Sequence, residues 1–118
     1  MKSAPAHQRC AVEAALDAIG GKWKGLILYH LTRSGTLRFN ELKRLLPGVT
    51  QRMLTKQLRE LEAEALVLRT VYAEVPPRVE YRLSAEGLEL RPVIEALREW
   101  GVRRENSRGA GTAHAHAC

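Results

Sequence analysis

The hydrophobic positions at the start of the chain recur at the spacing of an α-helix. Val12, Leu16 and Ile19 fall at i, i+4 and i+7, which predicts a helix over Cys10–Ile19 that ends at two consecutive glycines. The next stretch, Lys22–Thr32, carries apolar residues around a wider arc, so a second and largely buried helix is predicted there.

Two shorter helices are predicted next, on either side of a tight turn. Phe39–Leu46 forms the first, after a very short strand at Leu37 and Arg38, and Pro47-Gly48-Val49 interrupts it. Thr50 can cap the second, which continues to about Glu64. Its apolar stripe consists of Leu54, Leu58 and Leu61.

The hydrophobic period then changes from helical to two. Leu66–Val75 and Val79–Leu83 are predicted as two strands, and the prolines between them predict a hairpin tip over Val75–Arg78. Ser84 can cap a last long helix that runs to about Arg104. This order predicts a winged helix-turn-helix, a mainly α fold with a small β-hairpin wing.

The same patterns divide the chain into three parts. Residues 10–105 are predicted to form the DNA-binding and dimerisation domain. We expect a flexible arm at residues 1–9. The Gly-, Ala- and His-rich stretch at residues 106–118 is predicted to be a disordered tail.

The distribution of charge adds a partner to this fold. The chain has a net charge of +6, which favours a polyanion. Between Arg38 and Arg59 there are six basic residues, and Glu41 is the one acidic residue that opposes them. The excess of positive charge therefore lies on the helix-turn-helix, which predicts binding to double-stranded DNA.

The helix Thr50–Leu61 is predicted to enter the major groove. Arg and Gln can each make paired hydrogen bonds to a base edge, so we expect base contacts near the start of this helix and phosphate contacts around it. The wing contributes one cation from its tip. The expected DNA-binding residues are Lys43, Arg44, Thr50, Gln51, Arg52, Thr55, Lys56, Arg59 and Arg78.

The last helix carries more apolar surface than one small domain can cover, which predicts a homodimer formed through the first and last helices. The expected interface residues are Val12, Leu16, Leu90, Ile94, Leu97 and Trp100.

Cys10 is a candidate redox- or electrophile-sensing thiol. It lies near the start of the first helix, where the helix dipole lowers a thiol pKa, and His7 and Arg9 precede it. The alternative is an inert, partly buried side chain. Cys118, at the other end of the chain, is the second cysteine.

Other classes of protein are disfavoured. No nucleophile with a nearby base, phosphate-binding loop or zinc spacing is present, so we expect neither an enzyme nor a cofactor or metal site. No apolar run approaches the length of a membrane helix and no secretory signal is evident, so we expect a cytoplasmic protein.

Six blocks together resemble the HxlR-type transcriptional regulators, over about Cys10–Gly101. They are Cys10, Ile19–Trp23, Arg38–Leu42, Thr50–Thr55, Leu58–Glu62 and Pro77–Tyr81. The resemblance implies a dimeric winged helix related to the MarR group, and a sensing role for Cys10 as in some members. Ala65 stands where the family usually has Gly, so a left-handed conformation there would be strained.

The sequence therefore predicts a sequence-specific regulator, with repression as the expected mode, that binds a pseudo-palindromic operator as a homodimer. Its effector is left open between an oxidant and a small molecule. A winged helix that contacts only other proteins is the alternative.

Overall fold

The computed structural model describes residues 9–109. The elements in this range are α1 (Ala11–Ile19), α2 (Gly21–Ser34), β1 (Thr36–Arg38), α3 (Phe39–Leu45), α4 (Gln51–Ala63), β2 (Val67–Tyr72), β3 (Arg78–Leu83), α5 (Ala85–Leu88) and α6 (Arg91–Ser107). This order confirms the predicted winged helix-turn-helix. The predicted arm apart from Arg9, and the predicted tail from residue 110 onward with Cys118, lie outside the described residues.

The three strands form one antiparallel sheet in the order β1-β3-β2. Leu37 pairs with Tyr81 across β1 and β3, and Val67 pairs with Leu83 across β2 and β3. The predicted short strand before the helix-turn-helix is therefore present, and it ties that motif to the wing. β2 ends at Tyr72, three residues earlier than predicted.

Helix α2 lies at the centre of the domain. Ile27, Leu28 and Leu31 are almost fully buried, and the helix packs against α1, α3, α4, α6 and the sheet. This confirms the prediction of a central buried helix from its wide apolar arc. α2 is the shared support on which α4 and α6 are both placed.

The prediction of a single long helix after Ser84 is wrong. Ser84 does cap a helix, since its Oγ accepts a hydrogen bond from the Gly87 N–H at 3.0 Å, but this helix, α5, ends at Leu88. α6 starts afresh with Pro92 in its first turn. A proline has no N–H to bond the carbonyl four residues earlier, and it is accepted where a helix begins. α6 then continues to Ser107, beyond the predicted end at Arg104.

Helix α4 ends in a left-handed residue that is not glycine. Ala65 has a φ of 63°, the left-handed conformation that the resemblance to the HxlR-type regulators implied for this position. The Leu66 N–H donates to the Leu61 carbonyl at 3.0 Å, and the Ala65 N–H donates to the Glu62 carbonyl at 2.9 Å. This pair of bonds is the Schellman ending of a helix, which normally takes Gly at the left-handed position.

The backbone of the segment after α4 packs closely against the backbone at the start of α5. A Cβ on Gly87 would lie 2.2 Å from the Leu66 carbonyl oxygen. The Ser84 Oγ also donates to the Ala65 carbonyl at 2.6 Å. The strained exit from α4 is therefore held by Ser84 and Gly87 together.

Candidate nucleic-acid interface

The turn between α3 and α4 sets the position of α4. Leu46 and Val49 are buried, while Gly48 between them has a φ of 90°, which lets the chain reverse direction. Thr50 then begins α4, and its Oγ1 accepts a hydrogen bond from the Met53 N–H at 3.0 Å. This confirms the predicted capping of α4.

Helix α4 has two contrasting sides. Leu54, Leu58 and Leu61 are all at most 1% exposed, so the helix is fixed to the core along its whole length. The opposite side forms a shallow concave surface, which we call the reading surface. Its lining residues are Gln51, Arg52, Thr55, Lys56, Arg59, Glu60 and Ala63. Five of the predicted DNA-binding residues are thus brought together, and Thr50 lies at the edge of this surface as the helix cap.

The cations of the reading surface differ in how free they are. Arg52 and Arg59 are exposed, and neither forms an ion pair with a carboxylate within residues 9–109. Lys56 lies 3.8 Å from a Glu60 oxygen, and the other oxygen of Glu60 lies 2.8 Å from Lys24 Nζ. The hydrogen bond from Lys24, assisted by the charges of Lys24 and Lys56, lowers the pKa of Glu60 despite some desolvation.

Sequence reasoning did not include Glu60 in the site. Its spacing from Lys56 is the i, i+4 spacing of a helical ion pair and could have been recognised. Its contact with Lys24 could not, because that contact depends on how α4 packs against α2.

Lys43 and Arg44 lie in the last turn of α3. Both are exposed, and neither has a carboxylate partner among the described residues. They do not line the reading surface itself. They lie on the neighbouring helix, and their contact with phosphates beside the groove stays a prediction.

Arg78 is not the free cation that the sequence led us to expect at the wing tip. It begins β3, and its guanidinium lies 4.0 Å from the centre of the Tyr72 ring. It also forms ion pairs with Glu74 at 3.2 Å and Glu80 at 3.7 Å. Two carboxylates therefore offset its charge, and its evident role in this structure is to hold the two strands of the wing together.

Large apolar side chains on α1 and α6 are also uncovered. Val12 and Leu16 on α1 are 64% and 58% exposed, and Leu97 and Trp100 on α6 are 53% and 55% exposed. We call these four side chains the apolar strip. It contains four of the six residues predicted for a dimer interface.

The other two predicted interface residues pack against the core of their own protomer. Ile94 is only 4% exposed and is part of the core, so the prediction that it lies in the dimer interface is wrong. Leu90 is half-buried and packs against the same core. Helical spacing placed them on one stripe with Leu97, but it could not show that the first turns of α6 face the domain's own interior.

Cys10 is exposed and occupies the N-cap position of α1. The backbone N–H groups of Glu13 and then Val12 favour the thiolate, which lowers the pKa of the Cys10 thiol. Arg9 is paired with Asp17, so its charge is partly offset. His7, the other neighbour considered from sequence, lies outside the described residues.

No helix in the described range is long and apolar enough to cross a membrane. Among the same residues, no three His, Cys, Asp or Glu side chains converge on a point that could hold a metal ion. The cationic reading surface and the apolar strip are two candidate interaction sites in this range.

A helix-turn-helix with a buried support helix, a three-stranded sheet that ends in a hairpin wing and a cationic second helix define a winged helix-turn-helix DNA-binding protein. Comparison with known proteins makes this class more specific. The family described as HxlR-like helix-turn-helix matches residues 18–108, and the chain belongs to this family of DNA-binding transcriptional regulators.

Its relatives include YybR of Bacillus subtilis strain 168, described as an uncharacterized HTH-type transcriptional regulator. The two are 54% identical over 97 residues, which is 82% of this chain and 77% of YybR. Among solved structures, the redox regulator HypR in its oxidized form is 54% identical with a TM-score of 0.75, over 80% of this chain and 96% of HypR. Its reduced form is 49% identical with a TM-score of 0.80, over 86% of this chain and all of HypR.

Proposed function

We propose that this protein is a sequence-specific repressor that binds a pseudo-palindromic operator as a homodimer. The observation that carries the proposal is the division of α4 into a fully buried apolar side and an exposed side, where Arg52 and Arg59 have no carboxylate partner among residues 9–109. Such a helix is firmly held and presents side chains that can bond base edges and phosphates at once.

The apolar strip supports the homodimer. Four large apolar side chains on α1 and α6 are more than half exposed in the single chain, and a second copy would remove them from water. A two-fold dimer would place its two copies of α4 about 34–36 Å apart, which is one turn of DNA. Each α4 would then contact one half of a palindrome.

Repression is the simplest outcome of such binding. The described residues form one DNA-binding unit, and a dimer of such units would cover a promoter and exclude polymerase. In the alternative, where the winged helix contacts only proteins, the cationic surface would bind no DNA.

The test begins with selection of bound sequences from a random DNA pool by the full chain. We expect a palindromic consensus, and Arg52→Ala should weaken binding to it by about five- to 150-fold, since a paired base contact contributes about 1–3 kcal/mol. Arg103→Ala removes an exposed Arg from α6 and is the matched control. Failure to enrich any sequence, or equal effects of the two variants, would contradict the proposal.

We also propose that oxidation of Cys10 controls DNA binding. The exposed thiol with a lowered pKa supports this, as does the similarity to HypR, which is described as a redox regulator and has been solved in two redox forms. Hydrogen peroxide should change operator affinity of the wild-type chain and of Cys118→Ser, while Cys10→Ser should not respond. A response that persists in Cys10→Ser would exclude this thiol as the sensor.

A further inference from the structure

A groove of about 750 Å³ lies between α2 and α6, and this volume is in the range of small-molecule binding sites. Ile19, Tyr29 and Ile94 line it and are buried in the core, so the floor of the groove is held by the packing of the domain itself. The apolar lining side chains are Ile19, Leu26, Tyr29, Ile94, Leu97 and Val102.

Two glycines widen the groove, one from each helix. Gly25 lies inside α2 and Gly101 lies inside α6, and both line the groove. Outside the backbone of its own helix, a Cβ at Gly101 would meet no atom of the described residues within 4 Å. A Cβ at Gly25 would meet only the Ile19 carbonyl oxygen, at an ordinary 3.5 Å. Glycine inside a helix lowers its stability, and no close approach within the described chain requires it at either position. The space that the glycines leave is therefore available to another molecule.

The groove is also cationic. Its charged lining residues are Lys22, Arg98, Arg104 and Arg108, with Glu105 as the one acidic lining residue. Arg98 is half-buried, and its Nε is a buried donor with no hydrogen-bond partner within residues 9–109. A buried donor on a charged group is costly when it has no acceptor. A carboxylate in the groove would supply that acceptor through a charge-assisted hydrogen bond.

We propose that the groove between α2 and α6 binds an aliphatic monocarboxylate, whose chain lies on the apolar floor and whose carboxylate accepts a hydrogen bond from Arg98 Nε. Apart from Tyr29, the apolar lining side chains are aliphatic. The lining of α6 from Ile94 to Arg108 extends for about 21 Å at 1.5 Å per residue, so an extended chain fits along it. The inference rests on neither DNA binding, repression nor thiol control.

The groove and the apolar strip are different surfaces that adjoin each other. Val12, Leu16 and Trp100 belong to the strip and do not line the groove, while Leu97 belongs to both. The second copy in a dimer would cover apolar side chains, but it would leave the donor of Arg98 without an anion. The charge of the groove therefore favours a small anionic ligand as its occupant.

The first test is calorimetric titration of the full chain with decanoate and with 1-decanol, a neutral probe of the same chain length. We expect saturable binding of decanoate, and binding of decanol that is weaker by at least about tenfold, because decanol cannot make the charge-assisted bond. A merely apolar surface would bind the alcohol at least as well, since a carboxylate loses more hydration on burial. That result, or no binding of decanoate, would overturn the proposal.

Arg98→Gln tests the anion contact. It should weaken decanoate binding by about tenfold and leave decanol binding unchanged. The matched control is Arg103→Gln, which removes the same charge from an exposed position of α6 that does not line the groove. This control should leave both affinities unchanged. Equal losses of decanoate affinity in the two variants would mean that only net charge matters, and would overturn the proposal.

Gly25→Leu tests the place of binding, because it fills the groove from α2, which carries no residue of the apolar strip. We expect it to abolish decanoate binding without changing the sedimentation of the protein. Gly25→Ala adds only the Cβ, for which there is room, and should bind decanoate as the wild type does. Normal decanoate binding by Gly25→Leu would overturn the proposal. Dissociation of a dimer by Gly25→Leu would also overturn it, because the second copy would then occupy the groove.

These titrations contain no DNA, so they are independent of the function proposed above. A chain that binds its operator but not decanoate would contradict the present inference alone, and a chain that binds decanoate but no DNA would contradict the proposed function alone.

Discussion

Helices α4 and α6 both have apolar stripes, but the two stripes end in different surroundings. In α4, Leu54, Leu58 and Leu61 are all buried against the domain's own core. In α6, Ile94 is buried while Leu97 and Trp100, farther along the helix, remain more than half exposed. α4 thus has its apolar side fully satisfied, whereas α6 does not.

This difference indicates what kind of binding partner the exposed face of each helix can accept. The outward side of α4 is polar and cationic, so the partner it can accept is a polyanion. The uncovered part of α6 is apolar, so the partner it favours is another apolar surface. Similar spacing of leucines in the sequence therefore indicates similar helices, but not similar partners.

Breaking the α6 surface should have the largest effect. Trp100→Glu places a charge in the apolar strip, and we expect a monomer whose operator affinity is lower by at least about a hundredfold, because the second half-site no longer benefits from linkage. Sedimentation and DNA titration would measure both effects. Leu88→Glu introduces the same charge at an exposed leucine of α5 and should leave the dimer intact. A Trp100→Glu variant that remains dimeric would show that the apolar strip is not the interface.

Leu54 on α4 and Leu97 on α6 lie in contrasting environments, one buried and one exposed. On the monomeric Trp100→Glu background, Leu54→Ala should lower the free energy of unfolding by about 3 kcal/mol, as expected for a buried leucine. Leu97→Ala on that background should lower it by less than about 0.5 kcal/mol, as expected for an exposed position. Urea unfolding measures both. Similar losses would mean that the far end of α6 is part of the protomer's core.

The ends of the two helices give the smallest predicted effect. α6 is followed by Gly109 with a φ of 75°, whereas α4 is followed by Ala65 with a φ of 63°. Ala65→Gly should therefore stabilise the domain by about 1 kcal/mol, because a left-handed alanine is strained. Ala63→Gly, inside the last turn of α4, should destabilise it by a similar amount. A loss of stability in Ala65→Gly would indicate that the strain is absent.

Much of this architecture follows from local sequence patterns. The cap at Thr50 and the leucine stripe of α4 each depend on residues within a few positions of one another, so the sequence predicts them. The strain at Ala65 was implied by the resemblance to the HxlR-type regulators, which usually have Gly there. Pro92 could have revealed the break between α5 and α6, since proline favours the first turn of a helix. The apolar stripe runs across this break, so hydrophobic spacing alone predicts one continuous helix.

Other features depend on contacts between distant segments. The burial of Ile94 depends on which part of α6 faces α2, and the engagement of Arg78 depends on the register that brings Tyr72 opposite it. The Lys24–Glu60 contact likewise requires α2 and α4 to be packed together. These contacts exist only after the chain has folded, so spacing alone could not predict them.

The close approach at Gly87 has a consequence for how this sequence can vary. When two side chains touch, a larger residue on one side can be accommodated by a smaller residue on the other. At Gly87 the opposing group is the carbonyl oxygen of Leu66, and every amino acid would place the same oxygen there. No compensating substitution at position 66 can make room for a methyl group, so Gly87 should be fixed independently of its neighbours while the leucines around it exchange in concert.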